Sequence, residues 1–465
     1  LNAAFIQIRW CSRATRGGAS AARVSLQVRR WLSEIWEIAP LGLSFGCALG
    51  CYWMLRTMKN ALFMELVGPS YLPQAKLASM VFLLLTLVLY GKGVDWLGKR
   101  RLLAILYAIY AVLFAALTYF FQMGIKSQHL TLGWGFYLSI ESFGSLGISH
   151  LWSLAVNATT DAEVAARRFP LLAVGGQIGA CTCTFLLARS AERPGQLVPL
   201  LYLAVVLLAL APMLTFYWLQ KNNIPDEVHH VPPAADESLP VGSAQTSGNR
   251  AESPGLWEGL RLVMTRPYLV GILWSVVAYE LVGTYLDFQM NTKAHETLVT
   301  LEKVTGFLAT YGFAANSVSF VFALTGTTWL VRNWGLSRCL VIYPVILCLL
   351  VVGAANYPTL QVLFAAQIAL KGAAYGFNKP CLELVYVPTS DDIQFKAKSW
   401  IDTAGSRGGK ALGSLMNTYL LRYAPTWLVW GGASVCLVFL SIWIPVSRTL
   451  GRRYEQLLAS GEKLS

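Results

Sequence analysis

The chain has 465 residues, of which 55% are hydrophobic and only 13% charged, with a formal net charge of +13. A soluble domain carries about a quarter charged residues, so this composition cannot clothe a water-facing surface of that length. The positive charge does not form an exposed basic stripe interleaved with aromatics, which excludes a nucleic-acid-binding face and assigns the excess to loops on one side of a membrane.

The first stretch, residues 1–38, carries Arg9, Arg13, Arg16, Arg23, Arg29 and Arg30 and no acid before Glu34. It has no compact apolar core of a secretory signal, so it reads as an organellar transit peptide. The competing reading is an amphipathic tail on anionic lipid, with Val24, Val28, Trp31, Leu32 and Ile35 at helical spacing. The chain opens on Leu1, which leaves its true N-terminus open.

Apolar segments follow at 39–57, 76–92, 101–122, 130–157, 169–190 and 197–219. After a polar break they resume at 266–290, 303–330, 338–354, 358–379, 400–421 and 425–446. Many approach the ~20 residues that span a bilayer as a helix, and backbone groups in lipid must be satisfied within their own segment. The expectation is an all-α membrane protein with twelve transmembrane helices in two six-helix pseudo-repeats. Its bundles cover 39–220 and 257–447, a flexible linker fills 221–256, and a polar tail covers 448–465. Lys/Arg clusters recur in the even-numbered loops, which places both termini on that side.

Two echoes support the repeat. Asp161, Arg168 and Gly175 follow segment 4 at steps of seven, and Asp391, Lys398 and Gly405 follow segment 10 at the same steps. The loop after segment 2, Gly91 to Arg101 with Asp95 and Gly98, is echoed after segment 8 by Arg332-Asn-Trp-Gly335 and Arg338. Paired six-helix repeats around a central site are a recurrent transporter design.

Charge inside a bilayer costs about 2.5–3.5 kcal/mol per residue on insertion scales, so the intramembrane charges mark a candidate site. They are Arg56 and Lys59 in segment 1, Glu141 in segment 4, Asp287 with Gln289 and Lys293 in segment 7, Lys371, Lys379 and Glu383 in segment 10, and Arg407 and Lys410 in segment 11. Cations outnumber anions, as a polyphosphate ligand requires. Lys59 and Lys293 also suit snorkelling to an interface, Glu141 suits simple pairing with a lysine, and Arg168 and Lys398 suit loop salt bridges that hold a gate, as does Asp95. Lys410 follows two glycines, which leave room for a bulky ligand. Neither cysteine nor histidine spacing suggests a metal site, and no catalytic motif or cofactor site is visible.

These residues carry a family resemblance. Leu55-Arg56-Thr-Met-Lys59-Asn60 resembles the Leu-Arg-Asp-Thr-Lys-Asp motif in the first helix of the ATP/ADP antiporters of plastids and intracellular bacteria. Ile140-Glu141-Ser-Phe-Gly-Ser is similar to that family's fourth-helix segment around a functional glutamate, and Arg168-Phe-Pro-Leu171 to its Arg-Phe-Tyr-Pro-Leu stretch. Lys396-Ala-Lys398-Ser-Trp-Ile-Asp402 with Gly409-Lys410 resembles its Lys-x-Lys-x-x-x-Asp and Gly-Lys-Ser-Gly-Gly region. The resemblance runs from Pro40 to Leu450 and the Gly91–Arg101 loop adds a likeness to the major facilitator superfamily.

It implies a nucleotide carrier, not an enzyme, working as a monomer by alternating access, with Lys59, Glu141 and Lys410 needed for transport and Arg56, Lys293 and Lys379 as further cations. A plastid envelope is the implied membrane, with a mitochondrial or other endosymbiont-derived membrane as alternatives. The family's seventh-helix glutamate, four residues before a lysine, falls at Gln289 when counted back from Lys293, and that change questions strict ATP/ADP exchange. The remaining readings are ion-coupled nucleotide uptake, a carrier of another anionic metabolite, and a membrane enzyme acting on an activated nucleotide.

Overall fold

The computed structural model describes residues 21–123, 129–159, 162–191, 195–223, 256–325, 333–390 and 397–460, with 193 and 393. Among the described residues, each expected apolar segment is largely helical, and 326–330 of the eighth lie outside them. In chain order the helices are α1 (Ala21–Leu66), α2 (Pro69–Val94), α3 (Trp96–Gln122), α4 (His129–Asn157), α5 (Ala162–Ser190) and α6 (Leu197–Lys221). Then come α7 (Pro267–Thr297), α8 (Leu301–Thr325), α9 (Leu336–Asn356), α10 (360–385), α11 (398–423) and α12 (Leu428–Ser460). A short helix, Leu256–Thr265, precedes α7.

Among the described residues, nine helices are long and apolar enough to cross a membrane. The other three, α4, α10 and α11, carry Glu141, Lys371 and Lys410. Two of these three are also irregular: wide π turns interrupt α10 at Ala374–Asn378 and α11 at Ile401–Gly405. Such turns recur at functional sites, where they re-aim side chains within a helix. The outer faces are apolar and exposed, as on α2 with Val81, Leu84, Leu85, Val88 and Leu89, which is the surface that lipid covers.

The expected segment edges shift in two places. α1 begins at Ala21 and runs through Pro40 into the membrane segment without a break. α12 continues to Ser460 through the stretch expected as a polar tail, with Leu450, Gly451 and Leu457 buried. The expected linker lies largely outside the described residues, as does most of the arginine-rich start.

Packing follows the halves. α1 lies against α4, α5 and α6, and α2 and α3 complete that group; α7 lies against α10, α11 and α12, with α9 on α12. Each group has an apolar core, one around Phe45, Tyr107, Phe143 and Trp218, the other around Tyr285, Tyr343, Phe377 and Trp443, and the second reaches across the halves to Phe63, Met64, Leu72 and Tyr137. Between them α5 meets α8, α1 meets α8, and α2 meets α11. The contacts there mix small, polar and aromatic groups: Gly312 faces Thr57 and Thr184, Gln177 donates to the Asn316 carbonyl at 3.0 Å, Cys181 lies 3.9 Å from Ser317, and the Phe185 and Phe313 rings meet with centroids 5.4 Å apart.

The sequence echoes have structural counterparts. Gly98 (φ 70°, ψ 160°) makes the α2–α3 turn, and Gly335 (φ 78°, ψ 153°) precedes α9 in nearly the same conformation. That region is open to glycine alone. Gly175 lies so close to α1 that a Cβ there would stand 2.5 Å from the Gly42 carbonyl oxygen, and Gly405 packs on Leu273 of α7. In both halves, a glycine seven residues beyond a basic residue seats one helix against another.

Candidate functional site

A cavity of about 320 Å³ lies between the halves. Residues of α1, α2, α4, α7, α8, α10 and α11 line it, at spacings that follow one face of each helix. α1 contributes Trp53, Arg56, Thr57, Lys59 and Asn60; α2 contributes Lys76, Ser79, Met80 and Leu83. α7 contributes Glu280, Gly283, Thr284, Asp287, Met290 and Asn291, and α11 contributes Asp402, Thr403, Ser406, Arg407 and Lys410. Glu141, Tyr311 and Lys371 complete the charged and aromatic wall. Six cations (Arg56, Lys59, Lys76, Lys371, Arg407, Lys410) thus face four carboxylates (Glu141, Glu280, Asp287, Asp402).

The charges are arranged in pairs. Lys59 is 2% exposed and donates to Glu141, with its ammonium 4.0 Å from the centroid of the Tyr137 ring. Lys76 meets Asp287 at 2.6 Å across the two halves. Lys410 stands 3.8 Å from Glu280, whose same oxygen accepts from Ser406 at 2.7 Å. Arg56 lies over the Trp53 ring at 5.0 Å and donates to Tyr52 at 3.3 Å, a stacking that orients the guanidinium. Lys371 donates to the Tyr279 hydroxyl at 3.3 Å.

One end of the cavity is sealed. Besides Lys76–Asp287, Asn60 donates to Asn291 at 3.3 Å, and Leu72, Pro73, Phe288 and Asn417 crowd the same place without leaving room for a water. These residues sit near the α1–α2 and α7–α8 connections, opposite the Lys/Arg-rich loops. At the loop-rich end, Arg168 pairs with Glu37 of α1, and Lys398 with Glu383 of α10, so both described pairs stay within their own half.

Lys59, Glu141, Lys410 and Arg56 therefore meet in one cavity. Gln289 does not: its amide donates to the Leu428 carbonyl at 3.3 Å, against the start of α12. Lys293 pairs with Glu296 one turn on, and both are largely exposed at the end of α7. Lys379 is exposed and is not among the residues lining the cavity. The Asp95 side chain and Asp391 lie outside the described residues. The α7 acids that face the cavity are Glu280 and Asp287, and counting back from Lys293 lands on a residue outside its lining.

Two lining charges are absent from the sequence reading: Lys76 stands at the start of an apolar segment and Glu280 lies inside segment 7, whereas Lys371 is among its candidate charges but without a role. Glu280, Thr284, Asp287 and Asn291 follow at steps of four, three and four, which is one helical face and a signal available in the sequence. The glycines before Lys410 also divide their roles differently from expectation. A Cβ at Gly409 would meet the Val277 carbonyl at 2.8 Å and Glu280 Cβ at 2.9 Å, so this glycine admits α7 and not a ligand; Gly408 faces open space. No group of three or more metal-ligating side chains occurs among the described residues.

The sequence matches the TLC ATP/ADP transporter family over residues 129–360. The chain is also 23% identical to ADP,ATP carrier protein 1, chloroplastic, of Arabidopsis thaliana, across 92% of this chain and 75% of that one. The chain belongs to the TLC ATP/ADP transporter family. Another similar protein is the Plastidic ATP/ADP-transporter of Solanum tuberosum, at 24% identity over 90% of this chain and 73% of that one. ADP,ATP carrier protein 1 of Rickettsia bellii is 20% identical over 93% and 97%. Among solved structures the chain is similar in fold to the POT family transporter PepTSo, with a TM-score of 0.59, 13% identity and coverage of 90% and 98%. The nucleoside transporter NupG follows at 0.56, with 14% identity and the same coverage. The TLC member described here is thus a multi-pass membrane carrier with a fold similar to those of PepTSo and NupG.

Proposed function

We propose that this protein exchanges ATP for ADP across an organelle membrane by alternating access, with the polyphosphate held in the cavity between the halves. The observation that carries the reading is that Lys59 and Lys410, from opposite halves of a TLC-family chain, line one cavity with four further cations. A low-dielectric, partly enclosed site strengthens ammonium–phosphate and guanidinium–phosphate contacts, and Arg56 and Arg407 supply planar forks that match phosphate oxygens.

In this mechanism Lys59 and Lys410 take phosphates from two sides, and bridging them draws the halves together. Glu141 keeps Lys59 charged and oriented when the site is empty. Asp287, which lines the cavity two residues before Gln289, stands in for the motif's seventh-helix glutamate in this reading, and that substitution supports exchange. Opening the sealed end requires parting Lys76 from Asp287 and Asn60 from Asn291, while the loop-rich end closes. This is the rocking of one repeat against the other about a fixed central site. The plastid envelope is the membrane that the plant relatives' names suggest.

The test is uptake of labelled ATP into liposomes containing the purified protein, with and without ADP inside. Uptake that depends on internal ADP is expected. Uptake that ignores it points to ion-coupled import, and no uptake of any nucleotide overturns the reading in favour of another anion.

A further inference from the structure

Among the described residues, two of the Asp, Glu, Lys and Arg residues are buried, Lys59 in the first half and Glu280 in the second. Lys59 is explained by Glu141. Glu280 is harder to explain, because a carboxylate buried in a phosphate site repels the ligand and costs free energy to bury.

Its geometry supplies a reason. Glu280 Oε1 accepts from the Ser406 hydroxyl at 2.7 Å, and Lys410 Nζ stands 3.8 Å from that same oxygen. The hydroxyl holds that oxygen in place while the ammonium stays beyond hydrogen-bond distance of it, so Lys410 is attracted without being clamped. Lys410 keeps 46% of its side chain exposed, whereas Lys59 keeps 3% and is locked between Glu141 and the Tyr137 ring. Gly409 brings α11 against Glu280 Cβ, so the carboxylate cannot retreat from the lysine.

We propose that Glu280 is an internal counter-ion for Lys410 that competes with the substrate's phosphate groups for that lysine. It rests on the reading that this cavity takes a polyphosphate. On loading, Lys410 turns from Glu280 to phosphate; on unloading, Glu280 recovers it, which speeds release and leaves the empty site less strongly cationic. Glu280 is a positioning residue, acting through Lys410, and its removal is expected to tighten binding while slowing turnover.

The experiment measures binding of inorganic pyrophosphate and of ATP to the purified full chain in lipid nanodiscs by calorimetry, alongside ATP exchange in liposomes. Glu280→Gln keeps an oxygen for Ser406 and removes the charge; pyrophosphate is expected to bind about tenfold tighter and the maximal exchange rate to fall by a similar factor. Glu280→Asp, which keeps the charge, is expected to bind within about twofold of wild type. Ser406→Ala frees Glu280 to engage Lys410 directly, so its binding is expected to weaken by about threefold. Unchanged or weaker pyrophosphate binding by Glu280→Gln overturns the proposal. If that variant does not fold, Ser406→Ala decides alone, and equal or tighter binding there overturns it. Wild-type protein that binds pyrophosphate but not ATP removes the nucleotide reading while the Glu280→Gln comparison still decides this one; protein that binds neither overturns both.

Discussion

Lys76 Nζ lies 2.6 Å from Asp287 Oδ2, and this ion pair joins α2 of the first half to α7 of the second at the sealed end of the cavity. Both side chains are about four-fifths buried, so solvent screens the pair less than it would a surface bridge. The pair is placed to stabilise one conformation of the carrier and must break in the other.

Reversing either charge alone, as Lys76→Asp or Asp287→Lys, is expected to lower exchange by about tenfold or more, because like charges then face each other at the seal. The double reversal is expected to recover much of that loss. Rates of ATP exchange for the wild type, both single variants and the double variant check the coupling; a double variant no better than the singles would show that the pair does not act as a unit.

Lys59→Met strands Glu141 beside an apolar side chain, whereas Lys59→Met with Glu141→Gln removes both charges. The single change is expected to destabilise the protein by about 2–3 kcal/mol, and the double change by clearly less. Neither variant is expected to transport. Thermal unfolding in detergent read beside liposome uptake separates the stability effect from the loss of the phosphate-binding ammonium.

Gly409→Ala forces a methyl group against the Val277 carbonyl and Glu280 Cβ, while Gly408→Ala points into open space. Gly409→Ala is expected to cost about 1–3 kcal/mol and to disturb binding at Lys410; its neighbour is expected to be tolerated. Thermal unfolding and nucleotide binding of the two variants provide a matched comparison one residue apart.

Gln289→Ala and Lys293→Ala are expected to change exchange by less than about twofold, as substitutions away from the cavity usually do. Asp287→Asn, two residues from Gln289, is expected to impair it strongly. Uptake assays of the three variants test which face of α7 belongs to the site.

The fold was legible because lipid imposes a simple rule: long apolar runs become helices, as the described part of each expected run does. The site was legible where charge interrupts such a run, as at Lys59, Glu141 and Lys410. It was less legible on α7, where Asp287, Gln289 and Lys293 are close in sequence but occupy different faces, and only helical phase separates them. Glu280 was missed because a lone acid between Tyr279 and Leu281 has no motif to announce it, although its phase with Asp287 does. Ion-pair partners such as Lys76 and Asp287 are 211 residues apart, a separation that no local pattern reveals.

The seam between the halves has a mechanical consequence. Within each half, glycine-seated helices and a continuous apolar core interlock, so that sliding one helix past another would open voids. Across the seam, Gly312 rests on the methyl groups of Thr57 and Thr184, Phe185 meets Phe313, and the hydrogen bonds of Gln177 and Cys181 are few. This surface interlocks less than either core, so it yields first when one block tilts against the other. Deformation is thereby concentrated at the α5–α8 and α1–α8 contacts, and the two blocks can tilt while the internal geometry of each, including Lys59 on Glu141 and Gly409 on Glu280, travels intact.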